Sequence, residues 1–237
     1  MKVKVLFDKD ALNKNLHFGW GVSFLVGETV LFDAGENGQW LLENMKNLNV
    51  DIQKIQIAVI SHNHWDHTGG LWELLKKRPG LSVCACPNFS SEFKKRVTDL
   101  KGRLIEAKEV IKVSKNIFTT GEIPGEYKQE YMPEQALIAK TSKGLTVITG
   151  CAHPGIIQML ELIKKKFQNK RFYYVIGGFH LMEKDKRIIR TIADKFNELT
   201  IEKAGPTHCS GNEAEGIFKE KYASNFILIK TGQTLDI

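Results

Sequence analysis

The sequence has few cysteines that could cross-link the chain and lacks the long apolar run of a membrane helix. Only four cysteines occur in 237 residues, at Cys84, Cys86, Cys151 and Cys209, and these are too few for a disulfide scaffold at this length. No run reaches the roughly 18 consecutive apolar residues of a membrane helix, and the charged opening MKVKVLFDKD lacks the apolar core of a secretory signal. We therefore expect a cytoplasmic protein with reduced thiols.

Linkers, repeats and nucleic-acid motifs are also absent. Without proline- or serine-rich linkers or low-complexity tracts, residues 1–237 are predicted to form one domain. Apolar residues make up 42% and charged residues 26%, which excludes collagen, disorder and coiled coil. The 34 lysines and arginines exceed the 27 acids, and the net charge of +7 favours an anionic partner. Because no zinc-finger spacing or aromatic-interleaved basic stripe occurs, we expect a small anionic substrate rather than a nucleic acid or a membrane. No pattern indicates an oligomeric state.

Strand-like and helix-like segments alternate through both halves of the chain. Short apolar runs, two pairs of them joined as hairpins, predict strands at residues 3–7, 22–26, 29–32, 57–60, 136–140, 145–149, 172–176 and 225–229. Apolar residues at helical spacing predict helices over 40–48, near 71, over 156–167 and over 188–199. This alternation favours two similar β-rich layers packed face to face with helices outside. The predicted fold class is therefore α/β, with a four-layer αββα sandwich.

Six of the seven histidines fall in four short clusters. These are His62, His64 and His67 in SHNHWDHTGG, His153 in TGCAHPG, His180 in GGFHL, and His208 in THCSG. Three of the clusters directly follow apolar strand-like runs, and the fourth does so less clearly. Sites in layered α/β folds gather at the carboxyl ends of strands. We therefore expect all six histidines to converge.

The first cluster has the spacing of a metal-binding segment. In an extended chain alternate residues share a side, so His62 and His64 can hold one ion, while the following turn can aim Asp66 and His67 at a neighbouring position. Imidazole and carboxylate groups suit zinc, iron or manganese. A single histidine is more often an ordinary hydrogen-bonded group, but three histidines and an aspartate within six residues indicate a metal site.

The same residues carry a resemblance to a known family. SHNHWDHTGG resembles the H-x-H-x-D-H signature of the metallo-β-lactamase superfamily, and the order of the later histidines fits as well, so the resemblance spans nearly the whole chain. The segments PEQALIAKTSKGLTVITGCAHPG, VIGGFHL and THCSG are similar to a narrower group labelled dihydropterin ribofuranosylaminobenzene phosphate synthase-like. The resemblance implies an αββα sandwich with one or two divalent metal ions at one edge.

The resemblance also implies which residues bind the ions. His62, His64 and His153 would hold the first metal, and Asp66, His67 and His208 the second, with zinc favoured over iron or manganese. Asp33 would accept a hydrogen bond from a metal-bound histidine. Cys151 and Cys209 flank two of the ligands but occupy no ligand position of the family, and we interpret them as small packing residues.

One position departs from the family pattern. Most hydrolases of the superfamily have a bridging aspartate where this chain has His180, and a neutral imidazole does not supply the same charge between two cations. The second site is therefore expected to be weaker, differently shaped or empty. His180 could ligate a metal, bind substrate or transfer a proton. Asp185 could substitute for the missing carboxylate, although an exposed aspartate at a helix start is the simpler interpretation.

The leading hypothesis for function is a metal-dependent hydrolase. A bound metal lowers the pKa of water from about 15.7 toward ~7, which makes hydroxide available at neutral pH. Asp66 would orient that hydroxide, and His180 would bind the substrate or transfer a proton. The positive charge and the narrower resemblance favour a small phosphorylated or ester-like substrate, above all a phosphoester. The alternative is a non-catalytic metal-binding protein or a redox iron protein of the same fold.

Overall fold

Strands and helices alternate along the chain, as the periodicity predicts. The computed structural model describes residues 1–237. The strands are β1 (Lys2–Phe7), β2 (Ser23–Val26), β3 (Val30–Phe32), β4 (Ile57–Val59), β5 (Ser82–Ala85), β6 (Arg103–Glu106), β7 (Ile111–Ser114), β8 (Ile117–Thr119), β9 (Glu126–Tyr127), β10 (Glu130–Tyr131), β11 (Leu137–Thr141), β12 (Gly144–Thr149), β13 (Phe172–Gly178), β14 (Lys203–Thr207) and β15 (Thr234–Asp236). The α-helices are α1 (Gly38–Asn47), α2 (Trp65–Thr68), α3 (Leu71–Lys77), α4 (Ser91–Asp99), α5 (Ile156–Lys166), α6 (Lys186–Glu198) and α7 (Gly211–Tyr222). No helix is both long enough and apolar enough to cross a bilayer.

The strands form two large sheets. The first has the order β15-β1-β2-β3-β4-β5-β6, and the second has the order β14-β13-β12-β11-β8-β7. Strands β9 and β10 make a separate two-stranded hairpin. From β3 to β6 neighbouring strands are parallel, and so are β12, β13 and β14. Each sheet therefore has one edge where the carboxyl ends of several parallel strands lie side by side.

Three apolar layers of similar size hold the sheets and helices together. Between the sheets lie 21 buried residues, among them Phe24 and Ile176. A second layer of 20 buried residues lies between the first sheet and α1, α3 and α4, and a third of 23 lies between the second sheet and α5, α6 and α7. Strands buried on both faces read as continuous apolar runs, and all seven residues of β13 are buried. The four-layer αββα prediction is confirmed.

The predicted strand at residues 225–229 is wrong. This segment makes a single bridge, between Phe226 and Ala204 of β14, and one amide hydrogen bond, from Ile227 to the Ala204 carbonyl. Its isoleucines pack against the apolar layer between the sheets, and Ile229 is buried there. The run is apolar because it packs against the core, and it forms no ladder. The last strand is instead β15, which pairs antiparallel with β1.

Candidate metal centre

Residues of both sheets meet at the edge where the parallel strands end. His62 follows β4, His153 follows β12, His180 follows β13, and His208 comes directly after β14. The ring centroids of His62 and His153 are 4.7 Å apart, and those of His67 and His208 are 5.2 Å apart. The structure thus brings together the six histidines of the four sequence clusters. The seventh, His17, pairs with Glu43 away from them.

Four residues at these strand ends have left-handed backbone conformations. Asp33, Ala152, His180 and His208 have φ angles of 55°, 60°, 52° and 51°. This region costs a residue other than glycine on the order of 1–3 kcal/mol, and it persists only where the surrounding structure imposes it. The turns it makes direct the loops after β3, β12, β13 and β14 toward one place.

The first predicted triad has the geometry of a cation site. His62 Nε2 lies 3.0 Å from His64 Nδ1, and one nitrogen from each of these rings and from His153 lies within 4.8 Å of the others. Both ring nitrogens of His153 are buried and lack a hydrogen-bond partner. Burial, assisted by the neighbouring imidazoles, lowers the pKa of His62 and lowers that of His153 to about 3. Neutral imidazoles with free lone pairs fit a divalent metal.

The second predicted triad is also assembled. Asp66 Oδ2 lies 3.4 Å from His67 Nε2 and 3.2 Å from His208 Nε2. Burial raises the pKa of Asp66, but the contacts with His208 and His67 outweigh burial and hold it well below its usual range. The carboxylate is therefore ionised and is a suitable ligand for a cation beside two imidazoles.

Asp33 supports one ligand of each triad from behind. His67 Nδ1 donates to Asp33 Oδ2 at 2.7 Å, and the Ser61 hydroxyl donates to the same oxygen at 2.7 Å. Ser61 in turn accepts a hydrogen bond of 2.9 Å from His62 Nδ1. These contacts leave Nε2 of both histidines facing the site. Metal-binding histidines are usually held in this way, so the hydrogen bond expected of Asp33 is present.

Glu134 is a buried acid that the sequence analysis missed. Its carboxylate accepts backbone N–H bonds from Cys151 at 2.9 Å, Ala152 at 2.8 Å and His153 at 2.9 Å. Burial raises its pKa to about 7, although the three amides act in the opposite direction. Glu134 therefore fixes the loop that carries His153. Its only signal in the sequence is an acid placed two residues before the apolar run of β11.

His180 faces the histidine cluster. Its ring centroid lies 4.6 Å from that of His153, and its buried Nδ1 has no hydrogen-bond partner. Contact with the Cys209 sulfur outweighs burial and raises the pKa of His180. The ring does not cap the following helix, because Asp185 caps α6 by accepting from the Arg187 amide at 2.7 Å. Asp185 thus starts a helix and does not replace the missing carboxylate.

A cavity of about 480 Å³ opens beside the first triad. Its walls include His153, His180, Trp20, Lys128 and Lys184. Tyr127, on the β9–β10 hairpin, also lines it and places its ring centroid 4.9 Å from that of His64. The volume is in the range of small-molecule sites. Two lysines, two glutamates (Glu126 and Glu183) and an aromatic ring thus line the cavity beside the histidines.

Comparison with known proteins gives the class to which this fold and site belong. Residues 21–123 match the family model described as "Metallo-beta-lactamase superfamily". A relative from Methanocaldococcus jannaschii, 7,8-dihydropterin-6-methyl-4-(beta-D-ribofuranosyl)-aminobenzene-5'-phosphate synthase, is 31% identical over 91% of this chain and 89% of its own length. The chain therefore belongs to the metallo-β-lactamase superfamily, which confirms the predicted family.

Two further relatives cover the whole chain. An uncharacterized protein of the same archaeon, MJ0448, is 28% identical over 99% of this chain and 100% of its own length. The crystal structure of Tm1679, described as a metal-dependent hydrolase of the beta-lactamase superfamily, is 30% identical with a TM-score of 0.84. That alignment covers 100% of this chain and 99% of the other. The chain thus has the full fold of a metal-dependent hydrolase.

Proposed function

We propose that this chain is a metal-dependent hydrolase that cleaves an ester bond, preferably a phosphoester, in a small anionic substrate. The observation that carries the proposal is the pair of triads, one of which reaches through His153 into a cavity of small-molecule size. Each triad places its donor atoms within 4.8 Å of one another, and unpartnered buried nitrogens face the site. A site built only for packing would leave no such donors without partners.

The donor set fits divalent metals. His62, His64 and His153 would hold one ion, and Asp66, His67 and His208 a second, with zinc favoured and iron or manganese compatible with the same donors. When bound, the metals supply a water of lowered pKa and polarise the bond under attack. The protein contributes the fixed arrangement of ligands, which Asp33 and Glu134 support from behind.

Two residues act directly on the reactants in this proposal. The Asp66 carboxylate is ionised and lies between His67 and His208, where it can orient the attacking water by accepting a hydrogen bond. His180 lines the cavity beside His153, where its imidazole can bind the substrate or give a proton to the leaving group. Lys128 and Lys184 line the same cavity, together with Glu126 and Glu183, and can pair with an anionic group of the substrate.

Two relatives support the reaction and the substrate class. Tm1679 is described as a metal-dependent hydrolase, and the name of the M. jannaschii relative contains a ribofuranosyl 5'-phosphate. A phosphate-bearing substrate also agrees with the net charge of +7. The identity of 31% with an enzyme named a synthase favours, as a second candidate, a bond-forming reaction on a related phosphate compound.

One experiment separates these functions. The purified protein is analysed for metals and assayed on phosphodiesters, phosphomonoesters, thioesters and lactones, with the chelator-treated protein and His17→Ala as controls. We expect one to two ions per chain and metal-dependent turnover of a phosphoester. Folded protein without metal would contradict the proposal. Metal binding without turnover would favour a binding protein, an iron signal that changes with reductant would favour a redox protein, and activity only in the reaction named for the M. jannaschii relative would favour the synthase.

A further inference from the structure

The Cys151 sulfur lies between the two triads. Its Sγ is 3.4 Å from Nε2 of His67, a member of the second triad. It also lies within 4.8 Å of ligand atoms of His62 and His153 in the first triad and of His208 in the second. Cys151 is buried and is not in a disulfide. A thiol at this place is surrounded by the donor atoms proposed for both metals.

We infer that Cys151 is a metal ligand and that its thiolate bridges the two ions. The inference rests on the proposed metal centre and adds a ligand that neither the H-x-H-x-D-H segment nor the single histidines supply. Thiolate sulfur is a good ligand for zinc and iron and is deprotonated by them. On metal binding the thiol proton passes to solvent, and no electron is transferred.

The distances among the donors agree with a metal coordinated by Cys151. A tetrahedral zinc site with Zn–S of about 2.3 Å and Zn–N of about 2.0–2.1 Å has neighbouring donors roughly 3.3–3.6 Å apart. The separations from Cys151 Sγ to His67 Nε2 and from His67 Nε2 to Asp66 Oδ2 are both 3.4 Å. Asp66 Oδ2 is 3.2 Å from His208 Nε2, which is fully buried and makes no hydrogen bond.

The charge of the centre calls for an anion at this position. The first triad consists of three neutral imidazoles, and Asp66 is the one carboxylate among the six predicted ligands. His180, the other titratable group of the cluster beside His153, does not supply a negative charge. A thiolate between the ions lowers the repulsion between two cations, in the way a bridging carboxylate does.

The backbone around Cys151 is built to bring the sulfur there. Glu134 Oε1 accepts the Cys151 N–H at 2.9 Å and holds the loop after β12. The preceding residue, Gly150, passes so close to the first sheet that a Cβ there would lie 2.0 Å from Ser61 Oγ. Glycine is therefore required before Cys151, and the close approach carries the sulfur to the side of His67.

Cobalt substitution tests the bridge. The native metal is removed with a chelator, Co²⁺ is added stepwise to the intact chain, and absorption and bound cobalt are both measured. We expect two Co²⁺ per chain and a sulfur-to-cobalt charge-transfer band in the near ultraviolet that grows through both equivalents. Cys151→Ser should lose the band. Cys84→Ser is the matched control, because Cys84 is also buried but directs its sulfur to Gln135 Oε1, 3.9 Å away, outside the centre, and this variant should keep the band.

Each other outcome overturns the inference, and the pattern shows what else fails with it. Wild-type protein that binds two Co²⁺ with visible ligand-field bands but no charge-transfer band would refute the thiolate ligand and leave the metal centre intact. A band complete after one equivalent would refute the bridge. If the band is lost in a further variant, Cys209→Ser, and kept in Cys151→Ser, the metal ligand is Cys209 and the inference about Cys151 is wrong. Protein that binds no cobalt would refute both the bridge and the proposed function. The titration of the wild-type protein tests both the thiolate ligand and the bridge, so the experiment gives an answer even if a variant does not fold.

Discussion

The two sheets contribute to the metal centre in different ways. The first sheet supplies four candidate ligands from a single segment, residues 62–67, and two of them are oriented by the Asp33 carboxylate. The second sheet supplies ligands one at a time from separate strand ends. His153 has no partner on either ring nitrogen, and His208 Nδ1 faces a donor, the Gly21 amide at 3.1 Å. One half of the centre is preorganised through hydrogen bonds to its imidazole rings, and the other half is held mainly through its backbone, because Glu134 accepts the His153 N–H.

The hydrogen bonds of the two halves also determine which ring nitrogens of His67 and His208 carry protons. His67 donates a hydrogen bond from Nδ1 to Asp33, and although burial acts in the opposite direction, the Asp33 and Asp66 carboxylates raise the pKa of His67. Nδ1 of His208 accepts a hydrogen bond from the Gly21 amide. The His208 ring therefore carries its proton on Nε2, beside Asp66. A cation bound at Nε2 of either ring must therefore displace a proton. The comparison teaches that the carboxylate that orients His67 also favours the protonated ring, so metal binding in this half of the centre releases a proton as well.

Removal of a preorganised ligand should have the largest effect. His62→Ala deletes one of three imidazoles of the first site, so we expect the loss of about one bound metal and nearly all activity. The loss of activity should exceed the roughly 10- to 100-fold loss that follows when a hydrogen bond to a metal ligand is removed. Elemental analysis and turnover measure it, with His17→Ala as a control outside the centre. Full metal content in the His62 variant would show that the first triad is misassigned.

His180 should affect turnover without changing the ligands of the first sheet. We expect His180→Ala to lower turnover about 10²- to 10⁴-fold, the usual contribution of a positioned acid or base, while the first metal stays bound. His180→Asp should raise occupancy of the second site by adding a negative charge. Metal counts and kinetics on the same preparations separate the two effects. Unchanged turnover of the alanine variant would remove His180 from the mechanism.

The preorganisation itself can be weakened at Asp33. Asparagine tolerates the left-handed backbone at this position, but while its oxygen accepts from His67 and the Ser61 hydroxyl, its NH2 group cannot accept the Ser61 backbone N–H, which Asp33 Oδ1 accepts at 2.6 Å. We expect Asp33→Asn to reduce metal affinity about 10- to 100-fold, in the range known for such outer hydrogen bonds. Competition with a chelator measures the affinity, and Asp185→Asn at the start of α6 is the matched control. Equal affinities would mean that the two halves of the centre do not differ in this way.

The last prediction concerns stability instead of metal binding, at the contact that ties the sheets together beside the centre. The Thr207 hydroxyl, one residue before His208, bonds to both carboxyl oxygens of Asp8, at 2.9 and 2.8 Å. Burial raises the pKa of Asp8 to about 8, although the Thr207 hydrogen bond acts in the opposite direction. The folded state therefore holds this proton more tightly than the unfolded chain.

It follows that Asp8 makes the free energy of unfolding fall as pH rises from about 4 to 8, by at most about 1.4 kcal/mol per pH unit. Asp8→Asn, which stays neutral, should reduce that slope. The free energies of unfolding of the metal-free wild type and variant are measured with denaturant across this pH range. Because the two proteins share all other titratable groups, the contributions of those groups cancel in the difference. Parallel curves for the two proteins would contradict the raised pKa.

The part of the centre that can be predicted from sequence is the part encoded by spacing. His62, His64, Asp66 and His67 are adjacent in the chain, and the periodicity of the strands predicts where each single histidine emerges. The places of Glu134 and Cys151 could not be predicted, because they arise from the docking of the sheets. Cys151 meets His67 across 84 residues, and Glu134 is an acid whose partners are backbone amides that no motif marks.

The contact between Gly21 and His208 has a consequence for how the protein is made. These residues are 187 positions apart, and the Asp8–Thr207 contact beside them spans 199. Contacts of such separation form late in folding, because closing long loops costs entropy before other contacts repay it. During synthesis residues 62–67 leave the ribosome long before residue 208, so the nascent chain offers a partial chelate first. A metal held by ligands of both sheets would therefore be bound in full only after residue 208 has joined the fold.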